Sequence, residues 1–213
     1  MDFFAIVFYN GIRIFEEDWD LDYLKVVGSN VNICENPKTK EFFECISDII
    51  FNEKVLEMKN YYHHFDITCY QHCLNVSFYN FKVCKALRLD AKAAARGGLL
   101  HDLFLYDWHQ KHIKGEPWHA FIHGRKALEN AKKLCKLSKK EENMILSHMF
   151  PISYDLPKYK ESFVISFVDK YCAIAECFAR IKKKFATKKD WEFQSFNYFI
   201  NDFHQPIFVH NRH

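Results

Sequence analysis

The stretch GGLLHDLF, residues 97–104, decides how this chain folds and what chemistry it carries. Leu99 and Leu100 end an apolar run, and His101 and Asp102 stand side by side after it. An imidazole next to a carboxylate can grip a divalent metal ion. Four further residues of ligand type flank the pair. His72 lies 29 residues before His101, and His123, His148 and Asp169 follow at successive steps of 22, 25 and 21. Steps of that size suit successive helices, each bringing one side chain to a common point.

With 213 residues the chain can bury one core but is too short for two full-size domains. Hydrophobic residues at 49% and charged residues at 27% are ordinary for a globular protein, whereas 22 Phe predict a Phe-rich interior. Six Gly and five Pro are too few for a many-turned β-sandwich. The formal charge of +3 gives little support to a nucleic-acid partner. Such a partner would need the lysine groups at 132–133, 139–140, 182–184 and 188–189 to gather on one face. No apolar run approaches the roughly 18–20 residues that cross a bilayer, and the start lacks the pattern of a secretory signal. The reading is a cytoplasmic protein without membrane contact. The eight cysteines (Cys34, Cys45, Cys69, Cys73, Cys84, Cys135, Cys172 and Cys177) show no CxxC spacing and read as small buried hydrophobes with free thiols.

Along the chain three segments are expected: an N-terminal extension over 1–52, a metal-binding core over 53–185, and a C-terminal helix over 186–213 that packs its aromatics on the core. In the extension, FFAIVFYNGIRIF with its central Asn10-Gly11 reads as a short hairpin. Asp66 is placed to cap a helix running to about Leu87, with His72, Val76, Tyr79, Val83 and Leu87 on one face. Asp90 caps the next helix, whose small residues allow close packing and whose end delivers His101 and Asp102. Residues 103–118 read as a loop or broken helix bordering the site. A helix follows His123, and Ser138 with Glu141 makes a capping box for a helix ending near His148. Residues 160–184 are apolar on most faces, as in a central buried helix, with Asp169 at mid-span. A carboxylate there needs a cation or a hydrogen-bond network.

The order H…HD…H…H…D, with the local text GGLLHDL, IHGRKALENAKKL, ILSHM and VISFVDKYCAIAE, resembles the HD-domain superfamily of metal-dependent phosphohydrolases over about residues 60–185. The resemblance implies an all-α bundle of about six to eight helices. By the same resemblance, His72, His101, Asp102 and Asp169 hold one ion. His123 and His148 hold a second, with Asp102 bridging. Imidazole and carboxylate donors suit iron, manganese, cobalt or zinc, and the lack of thiolates argues against a closed structural zinc. The implied reaction is attack of a metal-activated water on a phosphomonoester or phosphodiester of a nucleotide or other small molecule. The chain departs from the cyclic-dinucleotide branch, which continues His-Asp with Ile-Gly-Lys and carries Gly-Tyr-Pro; here Leu103-Phe104-Leu105 follows and no GYP occurs. A metal-bound regulatory or nucleotide-binding module with little turnover is the alternative.

Cations to hold a phosphate are Arg125, Lys126, Lys111 and Lys170, with Lys170 also a candidate catalytic group. Asp107 is either a general acid or water-orienting group, or the cap of a nearby helix. His119, one helical turn before His123, is the reserve ligand. His63, His64, His109 and His112 read as rim or surface residues, and His204, His210 and His213 as tail residues. Cys69 and Cys73 bracket His72 and read as buried neighbours of the ligand helix. The aromatic C-terminal stripe reads as core or as the surface of a homodimer.

Overall fold

A computed structural model describes residues 6–9, 12–15, 26, 39–64, 67–107 and 119–186. Strands β1 (Ile6–Tyr9) and β2 (Ile12–Phe15) pair antiparallel, Ile6 opposite Phe15 and Tyr9 opposite Ile12, as the hairpin reading requires. The Asn10-Gly11 turn lies outside the described residues, as do Asp66, residues 108–118 and the C-terminal segment from 187 onward. Seven α-helices follow among the described residues: α1 (Lys40–Ile46), α2 (Glu53–Glu57), α3 (Cys69–Ala86), α4 (Ala91–Leu100), α5 (His119–Leu134), α6 (Lys139–Ser147) and α7 (Lys160–Ala186). A second short hairpin, β3 (Tyr62–His64) with β4 (Ile67–Thr68), leads directly into α3. The fold is an all-α bundle, and none of its described helices is long and apolar enough to cross a membrane.

Helix α4 occupies the centre. Every residue from Ala93 to Leu100 is buried, and the helix touches α1, α3, α5, α6 and α7. Its small residues permit this. A Cβ on Gly98 would stand 2.6 Å from the Ser77 Cα, so α3 passes too close for any side chain there. The two helices are stitched by Ser77 Oγ donating to the Ala95 carbonyl (2.6 Å) and Asn80 Nδ2 donating to the Ala94 carbonyl (2.9 Å). Those bonds satisfy polar groups inside an otherwise apolar contact. The expectation of a central buried α7 is thus corrected. That helix buries one face on α3 and α6, while Phe163, Phe167, Ile174 and Ile181 on its outer face are exposed.

Local signals account for the helix starts. Asp90 accepts from the Ala93 amide, and Ser138 and Glu141 make the reciprocal capping box. Glu141 also receives Arg96 Nε at 2.8 Å, which ties α4 to α6 through a buried charge pair. The cap of α3 is Thr68 rather than Asp66: its hydroxyl accepts from the Gln71 amide. Helix α5 begins at His119, one turn earlier than the sequence reading. Phe42, Phe43, Ile46, Ile49 and Ile50 join the same apolar cluster as Leu74, Phe78 and Leu99, so the core runs across residue 52. The seven described cysteines are free, and Cys69, Cys73, Cys84 and Cys172 are buried.

Gly98→Ala should cost about 1–3 kcal/mol or more, because backbone must move. Gly97→Ala should cost less, since its Cβ meets the flexible end of Met144 at 2.8 Å. Urea denaturation of the two variants checks the order; equal midpoints would contradict this account of the α3–α4 contact.

Candidate metal centre

All six ligand-type residues singled out in the sequence converge. His72 comes from the first turn of α3, His101 and Asp102 from the end of α4, His123 from the second turn of α5, His148 from the end of α6, and Asp169 from α7; each is buried. Packing of α3, α6 and α7 around α4 brings them to one point.

Each of the four histidines commits its Nδ1 away from that point. His101 Nδ1 lies 2.8 Å from the Gly98 carbonyl, His123 Nδ1 2.8 Å from the His119 carbonyl, and His148 Nδ1 2.8 Å from the Ile145 carbonyl. A carbonyl only accepts, so in these three rings Nδ1 carries a proton and Nε2 is the nitrogen left to meet a cation. His72 does the same against a carboxylate: Nδ1 stands 3.0 Å from Glu176 Oε2, and Asn75 Nδ2 donates to Glu176 Oε1 at 2.7 Å. Four basic nitrogens therefore face inward, which is the tautomer a metal needs.

Asp102 divides them. Its Oδ1 lies 3.3 Å from both His123 Nε2 and His148 Nε2, which are 2.7 Å from one another. Its Oδ2 lies 3.5 Å from His101 Nε2, which is 3.6 Å from Asp169 Oδ1; that oxygen is 3.0 Å from His72 Nε2. Atoms bound to one ion at about 2.0–2.2 Å stand roughly 3 Å apart when at right angles. Both groups have that spacing. Asp102 Oδ1 and His101 Nε2 are buried without a hydrogen-bond partner, a costly state that a cation would relieve. The donors thus fit a divalent ion.

Charge follows the same division. Burial alone would raise the Asp102 carboxyl, but His101, His123, His148 and His63 hold it well below the ordinary carboxylate range. Asp169 is likewise held down against burial by His101 and His72. Burial opposes charge on His72 and His101, yet their carboxylate neighbours raise both well above the usual imidazole range. His123 is lowered, chiefly by burial, and His119 is pushed down to about 3 by burial and by His123.

The HD domain family model matches residues 69–174. The chain belongs to the HD-domain superfamily. No curated protein and no solved structure matches it. The matched stretch of the HD domain contains all six converging residues, and two further site residues lie just outside it.

The first is His63, which the sequence reading assigned to the rim. Its Nε2 is 2.7 Å from Asp102 Oδ2, and its ring stacks on His72 at 4.0 Å and 7°. The second is Glu176, two helical turns after Asp169, with 2% of its surface exposed. One helix therefore presents Asp169 to Nε2 and Glu176 to Nδ1 of the same imidazole. The i, i+7 spacing on one face was the available signal. His119 neither replaces His123 nor leaves the site. It stacks on His123 at 4.6 Å and pairs with the Tyr106 hydroxyl at 2.7 Å.

The candidate phosphate-holding groups lie farther out. Lys170 Nζ donates to the Ser166 carbonyl (3.0 Å) and the His148 carbonyl (3.3 Å), beside Asp169. Lys126 Nζ lies over the Tyr106 ring at 4.7 Å from its centroid. Arg125 is two-thirds exposed and reaches Asp155 at 3.4 Å. Asp107 is half-buried at the end of the described segment, while Lys111, His109 and His112 lie outside the described residues, as does the side chain of His64. A cavity of about 1080 Å³ opens between α2 and α5 next to Phe104. Its wall carries Lys54, Lys126 and Lys133 against Glu53, Glu57 and Glu129, so it has no net preference for an anion.

Glu176→Gln should leave the fold intact and weaken binding of a divalent ion at His72 about 10- to 100-fold, the usual effect of losing a carboxylate behind a ligating imidazole. Competition titration against a chromophoric chelator reads this directly; wild-type affinity in the variant would contradict the role given to Glu176.

Proposed function

We propose that this HD-domain protein is a metal-dependent phosphohydrolase that cleaves a phosphomonoester or phosphodiester of a nucleotide or other small molecule, with two divalent ions drawn from iron, manganese, cobalt and zinc. The observation that carries the reading is the Asp102 carboxylate, whose two oxygens face two separate groups of inward Nε2 atoms. His72, His101, Asp102 and Asp169 hold the first ion; Asp102, His123 and His148 hold the second. When bound, such a pair supplies a Lewis acid that activates water and offsets charge on a phosphoryl oxygen.

The chain's own groups do the rest. Asp102 fixes the distance between the two donor groups, and the committed Nδ1 atoms keep the imidazoles from rotating during turnover. Tyr106 and His119 border the His123 side with hydrogen-bonding groups, and burial with His123 keeps the His119 imidazole neutral at pH 7. Lys170, anchored by two carbonyls at the edge of the site, is the cation best situated to offset phosphate charge. Lys126 stands behind Tyr106, Arg125 serves the outer rim, and Lys111 is retained from the sequence as a further candidate cation. Asp107 takes the role of proton donor or water-orienting group. The absence of Ile-Gly-Lys after His-Asp favours a substrate other than a cyclic dinucleotide.

The test is a panel of phosphomonoesters, phosphodiesters and mononucleotides offered to metal-loaded protein, with metal content measured alongside. Turnover should depend on the metal and fall at least about a hundredfold in Asp102→Ala. His148→Ala should retain about one ion of the two. Undiminished turnover in Asp102→Ala would sink the mechanism, and full loading of wild type without turnover on any ester would favour a regulatory module.

A further inference from the structure

We infer that His63 is a protein ligand of the first ion, so that this ion is held by five protein donors and the exchangeable positions of the centre lie on the second. The inference rests on the two-ion reading above and deepens it.

Among the described residues, His63 is the site histidine carried by a strand rather than on or at the end of a helix. It lies on β3, which pairs with β4, and β4 passes through the Thr68 cap straight into α3. The Cys69 amide donates to the Tyr61 carbonyl at 2.7 Å, closing the base of this hairpin against the first turn of α3. The hairpin is therefore fixed to the helix that bears His72, and the two histidines, nine positions apart, stand with their rings face to face.

His63 Nε2 lies 2.7 Å from Asp102 Oδ2, and the donor atoms of His63, His72 and Asp102 all lie within 4.8 Å of one another. The same limit holds for His72, His101 and Asp169. The two triads share His72, and His101 Nε2 joins them again at Asp102 Oδ2, 3.5 Å away. Only 13% of the His63 side chain is exposed, so the ring is held in place rather than swinging at the rim. Pairwise contacts thus link three imidazoles and two carboxylates on the first ion's side of Asp102.

The other position is poorer. Asp102 Oδ1, His123 Nε2 and His148 Nε2 are its three donors from the residues assigned to it. A site filled by protein donors serves structure, and one with open positions takes water and substrate. The asymmetry therefore directs a phosphoryl oxygen to the His123–His148 side, next to His119, Tyr106 and Phe104.

Cobalt(II) titration of the full chain tests this with visible absorption and a competing chelator as readouts. In His63→Ala the first equivalent should bind roughly tenfold or more weakly with an altered band, and added imidazole should restore the wild-type spectrum, since the vacated place is at the site edge. Inorganic phosphate should perturb the band of the second equivalent in wild type. A His63→Ala protein with wild-type affinity and spectrum for the first equivalent would overturn the inference while leaving the two-ion reading intact. So would phosphate acting on the first band alone. Failure of wild type to take up cobalt would instead overturn the two-ion reading. Should His63→Ala not fold by circular dichroism, His63→Gln is read in the same way.

Discussion

The structure depends on how Asp102 is surrounded. A buried carboxylate with four imidazoles around it is stable only if those rings present the right atoms, and His72, His101, His123 and His148 each have Nδ1 engaged elsewhere. Three use the carbonyl three or four residues earlier on their own helix, so ordinary helix geometry fixes the tautomer. The fourth, His72, in the first turn of α3, takes a carboxylate from α7 instead. Without such commitments two Nε2 atoms 2.7 Å apart would resolve by proton sharing; with them, the natural partner is a cation.

Convergence needs close helices as well as correct tautomers. Helix α4 ends at the centre of the cluster, and Gly98 lets α3 approach until the Ser77 backbone fills the space a side chain would take. The same contact brings His72 within reach of His101, their rings 5.4 Å apart. Packing and chemistry are therefore one problem here: loosening α3 from α4 would separate His72 from His101.

Much of this was legible in the sequence. His101-Asp102 after two glycines, and the ordered histidines and Asp169, identified the HD domain and all six converging residues. The caps at Asp90 and Ser138 were readable because each signal is local. His63 was not. It reaches the site through a hairpin return rather than helical periodicity, and part of that hairpin lies in residues whose pattern favours no element. Glu176 escaped because the apolar residues around it masked a second inward carboxylate on the face of Asp169. The start of α5 was set late since His119 and His123 were read as rivals, whereas both face the site from consecutive turns. The outer face of α7 looked buried because apolar residues cover both sides of the helix, and sequence carries no mark of which side is covered.

Cys69 and Cys73 lie buried beside these donors, and Cys69 Sγ approaches the Asp102 carbonyl at 3.2 Å, so thiolate ligation is the nearest chemical rival. X-ray absorption at the metal edge of the zinc- or cobalt-loaded chain decides between them. The account predicts a first shell of nitrogen and oxygen alone at about 2.0–2.2 Å with imidazole scattering beyond it. A sulfur shell at about 2.3 Å would contradict it.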